Sequence, residues 1–507
     1  MCSSDLMLVI MIIGAAAILV SALSSSSLQI ERDKTTAAAL AKAKDALIAY
    51  AVSDANRPGE LPCPDFNNDG ASVPTVDYNG SSCQSLVGWL PWKTLGLPDF
   101  RDGNGDRLWY ALANPFHANG AATFTLNSDT PTTYQSQMLA VQDGTTGATL
   151  QTNVVAVVFS SGTVLSGQIR SSNDNNATNA ITNYLEGSNA NPTSVVTQTA
   201  NNTTINDRLL AIGSNELMAP VEMRIAREAK RCLDDYAATV VAPNTTPGKK
   251  YPWAAPVTDN TYTGTYNTLF GRISSTPNID TTSDGPGSNA AITLSGALSA
   301  LQTALNAFNA IDSGSNYTAL YNAANTVISL KYSVSGISSS VDQAGDYAKY
   351  FANDSVSYGT ANYYITNAVN ALANHNLASI DSTMSSTWPA SCTLFATSYW
   401  PNWQNEVFYQ VASGFQPGSS ASFGIPLSIN GAGSYRASVI VARQAFPSQI
   451  PRIVTSDTSY LEGANQHQTT PSSAFVTYSP STANYSTVND LVLCLDGSGT
   501  NPGSICK

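Results

Sequence analysis

The sequence predicts an α+β chain. A long N-terminal helix, half of it apolar and membrane-buried and half amphipathic, packs on a small antiparallel sheet. The unit then recurs, with a helical insertion in the second copy. Three observations carry this reading: a helical pattern unbroken over about residues 6 to 52, five short words repeated in the same order, and an Ala-rich periodic block confined to the second copy.

The helix comes first. Residues 6 to 23 run from Leu6 to Leu23 without one charge, just enough to span a bilayer. Met1-Cys2-Ser3-Ser4-Asp5-Leu6 precedes them with no Lys or Arg, unlike the basic start of a signal peptide. Cys-Ser-Ser-Asp-Leu can be back-translated as TGCTCTTCCGATCT, the end of a common sequencing adapter. Residues 1 to 6 are therefore expected to be foreign and the true start to be missing, which sets Cys2 aside. Beyond the apolar run, Ala39, Ala43, Ala46, Leu47 and Tyr50 recur at three-and-four spacing, with Lys42, Lys44 and Asp45 off that stripe. One helix over this stretch would be roughly 70 Å long at ~1.5 Å per residue. Pro58 and Pro62 close it. A cleaved signal peptide ending at Val20-Ser-Ala22 and a plain membrane anchor are the competing readings of the apolar run.

The repeat follows. Ala41-Lys-Ala-Lys-Asp-Ala-Leu-Ile-Ala-Tyr-Ala aligns with Arg227-Glu-Ala-Lys-Arg-Cys-Leu-Asp-Asp-Tyr-Ala. Leu90-Pro-Trp is echoed by Tyr251-Pro-Trp, and Arg107-Leu-Trp-Tyr-Ala-Leu by Glu406-Val-Phe-Tyr-Gln-Val. Tyr184-Leu-Glu-Gly matches Tyr460-Leu-Glu-Gly, and Asn206-Asp-Arg-Leu-Leu-Ala-Ile matches Asn489-Asp-Leu-Val-Leu-Cys-Leu. The expected organisation is an N-terminal helix segment over 1–26, a first head over 27–215, and a second head over 216–507 with an inserted helical subdomain over 276–390. The strands expected at the centres of the heads are Val154-Val-Ala-Val-Val-Phe and Ala437-Ser-Val-Ile-Val-Ala. The polar, aperiodic stretches 171–183, 187–206 and 464–488 read as loops.

Three further words accompany the helix: Arg57-Pro-Gly-Glu-Leu-Pro-Cys-Pro-Asp, Leu90-Pro-Trp-Lys-Thr-Leu-Gly-Leu-Pro-Asp and Arg101-Asp-Gly-Asn-Gly-Asp-Arg-Leu-Trp-Tyr. With the helix they resemble the type IV pilins and type II secretion pseudopilins, the last word being similar to the Asp-x-Trp-Gly-x-x-x-x-Tyr turn and strand of pseudopilin heads. Here Asn104-Gly105 stands where Trp-Gly would be, and neither a leader Gly nor a Glu near the fifth mature position is present. The resemblance implies a large, tandem-head, minor-pilin-like subunit. It would sit at or near a filament tip and serve pilus assembly, adhesion or type II-like secretion. Its partners would be other pilin or pseudopilin subunits, met through the N-terminal helix, and the inner membrane before assembly. It would be anchored there with a periplasmic head, or extracellular in the filament. The alternative is a membrane-anchored or secreted binding protein that joins no filament.

Composition agrees with export. Charged residues make up 11% of 507, against about 25% in ordinary globular chains, and the net charge is −12. Such an acidic chain without a basic run excludes nucleic acid as a partner. The three histidines are too scattered for a His-built metal site. Without Cys2 there are six cysteines, which allow fifteen pairings. Proximity favours Cys63–Cys83 and Cys494–Cys506, leaving Cys232–Cys392; pilin resemblance separately favours the C-terminal pair.

One loop has metal-ligand spacing. Asp65-Phe-Asn67-Asn-Asp69-Gly70 fits the first half of a calcium loop, although the closing position holds Val76, with Asp77 one later. Asp102-Gly-Asn104-Gly-Asp106 is the alternative set. Calcium is the one cofactor expected, and resemblance to pseudopilin heads supports it. A metal-free Asn/Asp/Gly turn is the competing reading. No nucleophile elbow, zincin helix or phosphate loop occurs, so no enzyme is expected. Glu186 and Glu462 read as structural. Trp388, Trp400 and Trp403 are the candidate ligand-binding aromatics, for a surface or glycan ligand, or else the core joining insertion to head.

Overall fold

The computed structural model describes residues 3–72, 74–77, 80–117, 125–171, 175–199, 204–240, 250–262, 268–279, 289–334, 336–377, 381, 383–419, 426–467, 473–477 and 487–495. The chain divides into two compact units, Met1–Glu222 and Met223–Lys507.

The first unit opens with α1, Ser3–Ser53. Its apolar run at residues 6 to 23 lies where the backbone alone is described. Thr36, Ala39, Leu40, Ala43, Leu47 and Ala51 form its buried stripe, because three-and-four spacing returns a residue to the same face. That stripe packs on the sheet, chiefly on β6 and β8 below. Lys44, off the stripe, caps the Ala211 carbonyl and pairs with Glu216 at 2.6 Å. A hairpin of β1, Pro74–Asp77, and β2, Gly80–Cys83, stands apart from the main sheet. The main sheet comprises β3 (Val87–Trp89), β4 (Trp109–Leu112), β5 (Leu139–Asp143), β6 (Thr149–Ser160), β7 (Val195–Gln198) and β8 (Arg208–Gly213). Its order is β3-β4-β6-β5-β7, and β8 also pairs with β6. β6 is long enough to pair with β5 along its first half and β8 along its second. The β5–β7 pair is parallel. The buried half of β6, Val154–Ser160, is a Val-rich run at the centre of this core.

The division between units falls inside α2, Ser214–Thr239. In the second unit, β9 (Phe270–Arg272) precedes four helices: α3 (Asn289–Ala310), α4 (Gly314–Ser329), α5 (Ser338–Ala352) and α6 (Tyr358–Leu377). These close on their own core of Leu294, Leu298, Leu301, Leu320, Val327, Val341 and Ile365. Then come β10 (Val407–Val411), β11 (Leu427–Ile429), β12 (Ala432–Tyr435), β13 (Ala437–Val441), β14 (Ala474–Phe475) and β15 (Leu491–Leu495). They build two sheets, β15-β13-β10-β9 and β12-β11-β14, and the β11–β14 pair is parallel.

This corrects the expected fold. The chain is α+β, but the arrangement is not one half-membrane helix on a small antiparallel sheet, twice over. The first sheet has six strands and mixed sense, and the second unit carries two sheets. The parallel strands β7 and β14 lie in stretches that read as loops, since two- and four-residue strands are too short to show a period. The part of α1 whose side chains are described, residues 27 to 53, is too polar to cross a membrane, and among residues so described no helix is long and apolar enough to do so.

The two units share one local pattern. β3-β4-β6-β8 and β9-β10-β13-β15 have the same order, and every pair in each is antiparallel. Trp109 stands opposite Trp89 and Phe159; Phe408 stands opposite Arg272 and Ile440. Trp89 stacks on Trp109 at 4.5 Å, and at the matching place the Arg272 guanidinium lies 4.4 Å over the Phe408 ring.

Candidate functional site

The 65–70 loop is closed by its own atoms. Asp65 is fully buried, with Oδ1 accepting from the Asn67 amide at 3.1 Å and Oδ2 from the Gly70 amide at 2.6 Å. Burial raises its pKa. Asn67 Nδ2 donates to Asp69 Oδ2, and Lys93 Nζ donates to the Asp69 carbonyl. Arg107, whose partner Asp99 is held low by that guanidinium, donates to the Asn68 carbonyl and Oδ1. Gly70 has φ +88°, and a Cβ there would sit 2.4 Å from the Trp92 ring, so only glycine fits. The Asp65 bonds to the Asn67 and Gly70 amides suit an Asn/Asp/Gly turn with or without a cation, while the Lys93 ammonium and the Arg107 guanidinium occupy the neighbouring Asp69 and Asn68 carbonyls.

The alternative set is likewise engaged. Asp102 Oδ1 accepts from the Asn104 and Asp106 amides, and Oδ2 from Ser160 Oγ at 2.6 Å. Asp106 takes Arg170 at 2.6 Å, and burial raises its pKa. Gly103 lies against the α1 backbone at Arg32, where its amide reaches Thr36 Oγ1. Among the described residues no three His, Cys, Asp or Glu side chains group as a metal requires.

Two disulfides are present, Cys63–Cys83 and Cys232–Cys392. Cys494 is also disulfide-bonded. Cys506, its expected partner, lies outside the described residues.

Of the three tryptophans, open in sequence to a ligand-binding or a core reading, two lie in the core. Trp403 is fully buried and Trp400 nearly so. Trp388 is half-buried, its Nε1 donating to the Ser275 carbonyl. A continuous aromatic string runs Tyr236–Trp388–Phe395–Trp400, at centroid distances between 5.1 and 5.6 Å. Surface aromatics lie elsewhere, on α5 and α6. Tyr347 stacks on Tyr364 at 3.7 Å, with Tyr350 and Tyr363 edge-on at either side; Tyr350 is 47% and Tyr363 59% exposed.

The most developed polar constellation surrounds Glu186 and Glu462, which read as structural in the sequence, and adds to them Asp207 and Asp490, whose pairing with them the sequence did not show. In the first unit, Asp207 Oδ2 accepts from the Glu186 amide at 2.9 Å and Asn189 Nδ2 at 3.1 Å. Glu186 Oε1 accepts from Gln168 Nε2 at 2.6 Å, and Oε2 from the Asn206 amide at 3.0 Å. Asn189 also bonds twice to the Thr197 backbone in β7. The second unit repeats this. Asp490 Oδ2 accepts from the Glu462 amide at 3.1 Å and Asn465 Nδ2 at 2.9 Å. Glu462 Oε1 accepts from Gln449 Nε2 at 2.8 Å, and Oε2 from the Asn489 amide at 3.1 Å. Asn465 bonds twice to the Val476 backbone, beside β14. Arg170 lies over Tyr184 at 5.2 Å, and Arg452 over Tyr460 at 4.6 Å. Gly187 and Gly463 turn the chain with φ near +50° in both copies. Burial first, and the neighbouring Glu186 charge second, push the Asp207 pKa up to about 8. Burial and the neighbouring Glu462 charge raise Asp490 well above the usual carboxylate range, and burial raises Glu462. The signal was available: Tyr-Leu-Glu-Gly-x-Asn and a later Asn-Asp occur in both halves.

Comparison of the chain with known families, with curated proteins and with solved structures finds no match.

Proposed function

We propose that the chain is a non-enzymatic structural subunit: a large minor pilin or pseudopilin at or near a filament tip, in pilus assembly, adhesion or type II-like secretion. The observation that carries this is α1. Its second half is fixed to the sheet, while residues 27 to 35 are largely solvent-facing and expose Leu28 (62%) and Ile30 (54%). A helix fixed to the sheet from Thr36 onward, with exposed apolar side chains just before it, is suited to packing against helices of other subunits. Two disulfides support an oxidising compartment, hence an exported chain. The buried carboxyl pairs are enclosed by their own turns, which supports a structural use over catalysis.

The test is the native mature N-terminus, read by mass spectrometry on protein from source cells, together with its presence in sheared filaments. An N-methylated start immediately before residues 6 to 23 and cofractionation with filaments are expected. A start after Ala22 and a wholly soluble protein would overturn the proposal.

The exposed tyrosines of α5 and α6 favour the second reading, a binding protein that joins no filament. Their rings offer flat amphipathic surface to a glycan or a surface ligand. A glycan-binding screen of residues 27–507 beside the Tyr350→Ser/Tyr363→Ser variant separates the two. Binding that the variant loses, with no filament association, selects the second reading.

A further inference from the structure

Each carboxyl pair is one hydrogen short of closure, at the same atom. Asp207 Oδ2 and both Glu186 oxygens have N–H donors, whereas the buried Asp207 Oδ1 has none among the described residues. Asp490 Oδ1 is orphaned in the same way, with the other three oxygens of its pair satisfied. Two carboxylates meeting in a buried site repel and leave an acceptor unanswered; a single shared hydrogen resolves both. We propose that each unit binds one structural proton, carried on Asp207 and on Asp490 and donated to the facing Glu186 or Glu462 carboxylate, and that this proton locks the Tyr-Leu-Glu-Gly-x-Asn turn to the sheet.

The surrounding charges agree with a proton rather than a metal cation as the ligand. In the first unit the Arg170 guanidinium lies over Tyr184 and holds the Gln168 amide oxygen, but its charge is answered by Asp106. Arg208, next to Asp207 in the chain, pairs with Asp33. In the second unit Arg452 lies over Tyr460 and donates to its carbonyl, and its field favours the ionised forms of Asp490 and Glu462. In each pair it is the Asp whose second oxygen lacks a donor among the described residues while both Glu oxygens have one, so the hydrogen is placed on the Asp. Burial of Asp207 and Asp490 works in the same direction. The turn fixes β7 in one unit and the segment at β14 in the other through Asn189 and Asn465, so proton loss would loosen both parallel strands.

The geometry makes an asymmetric test possible. Asparagine at 207 or 490 reproduces a protonated Asp, its oxygen accepting the same two donors and its amide donating to the Glu. Glutamine at 186 or 462 instead turns a donor toward a donor. The Asp207→Asn/Asp490→Asn variant of the full chain should keep its thermal transitions near neutral pH, and lose the decline expected of the unsubstituted chain between about pH 4 and pH 8. Glu186→Gln should lower the first unit's transition by about 5 °C. Isotope-edited infrared spectra should show a protonated carboxyl C=O band at pH 7 in the unsubstituted chain that the double Asn variant lacks. Equal destabilisation by the Asn and Gln changes would overturn the proposal, as would absence of that band, which can be read even if a variant fails to fold.

Discussion

At Asp207, burial sets the sign of the pH dependence. The folded chain holds the proton up to about 8, whereas an unfolded aspartate releases it near ~4. Between those values the folded state binds more protons, so stability is fully present below about pH 4 and is lost as pH rises through about 8. Calorimetry across buffers should show the first unit's midpoint highest in mild acid, declining to about pH 8 and then levelling. Asp490 and Glu462 act in the same direction in the second unit. Asp65 makes a different prediction. Asp65→Ala strands the Asn67 and Gly70 amides, which costs about 1–3 kcal/mol, read as a lower urea midpoint. Calcium or a chelator should leave that midpoint unchanged, since the loop's oxygens already have donors. Residue spacing made the 65–70 turn legible in the sequence but not its occupant. Asp-x-Asn-x-Asp-Gly serves an Asx turn as well as a cation, and the arbiters, Lys93 and Arg107, come from elsewhere in the chain.

Among the elements, α1 separates stability from assembly. Leu47 is fully buried, and Leu47→Ala should cost about 2–5 kcal/mol by denaturant unfolding. Leu28→Glu/Ile30→Glu alters exposed positions and should leave the thermal midpoint within experimental error. Under the filament proposal the same variant is absent from sheared filaments; its full incorporation would sink that proposal. The helix was legible because its period is local. Ala43 and Leu47 are buried in α1, and Ala229 and Leu233, matched to them in the sequence alignment, are buried in α2. The sheets were less so. Pairing of β5 with β7, and of β11 with β14, joins strands across intervening elements, and parallel sense leaves no mark on a short strand. The tryptophans could be read from sequence as surface or as core, because what covers them is distant in the chain: Tyr236 and Phe395 flank Trp388, Phe395 flanks Trp400, and Trp403 is fully buried.

Over the whole molecule, two compact units predict more than one calorimetric transition. The disulfides divide between them. Loss of Cys63–Cys83, a closure of 20 residues, should lower only the first transition, by roughly 3 kcal/mol in the chain-entropy limit. Loss of Cys232–Cys392, a closure of 160 residues, should lower only the second, by roughly 5 kcal/mol. The duplicated carboxyl turn bears on how distant kin of this chain could be found. At matched places Trp109 is answered by Phe408, because apolar packing accepts substitutes of similar kind, and Trp89 by Arg272, whose guanidinium lies on the Phe408 ring and donates to the Asn405 and Val454 carbonyls. The polar turn has had no such latitude. One wrong donor there leaves a buried atom orphaned, which accounts for the same letters standing in both halves where the residues around them differ. A search pattern of Tyr-Leu-Glu-Gly-x-Asn followed by a spaced Asn-Asp should therefore reach further than overall identity.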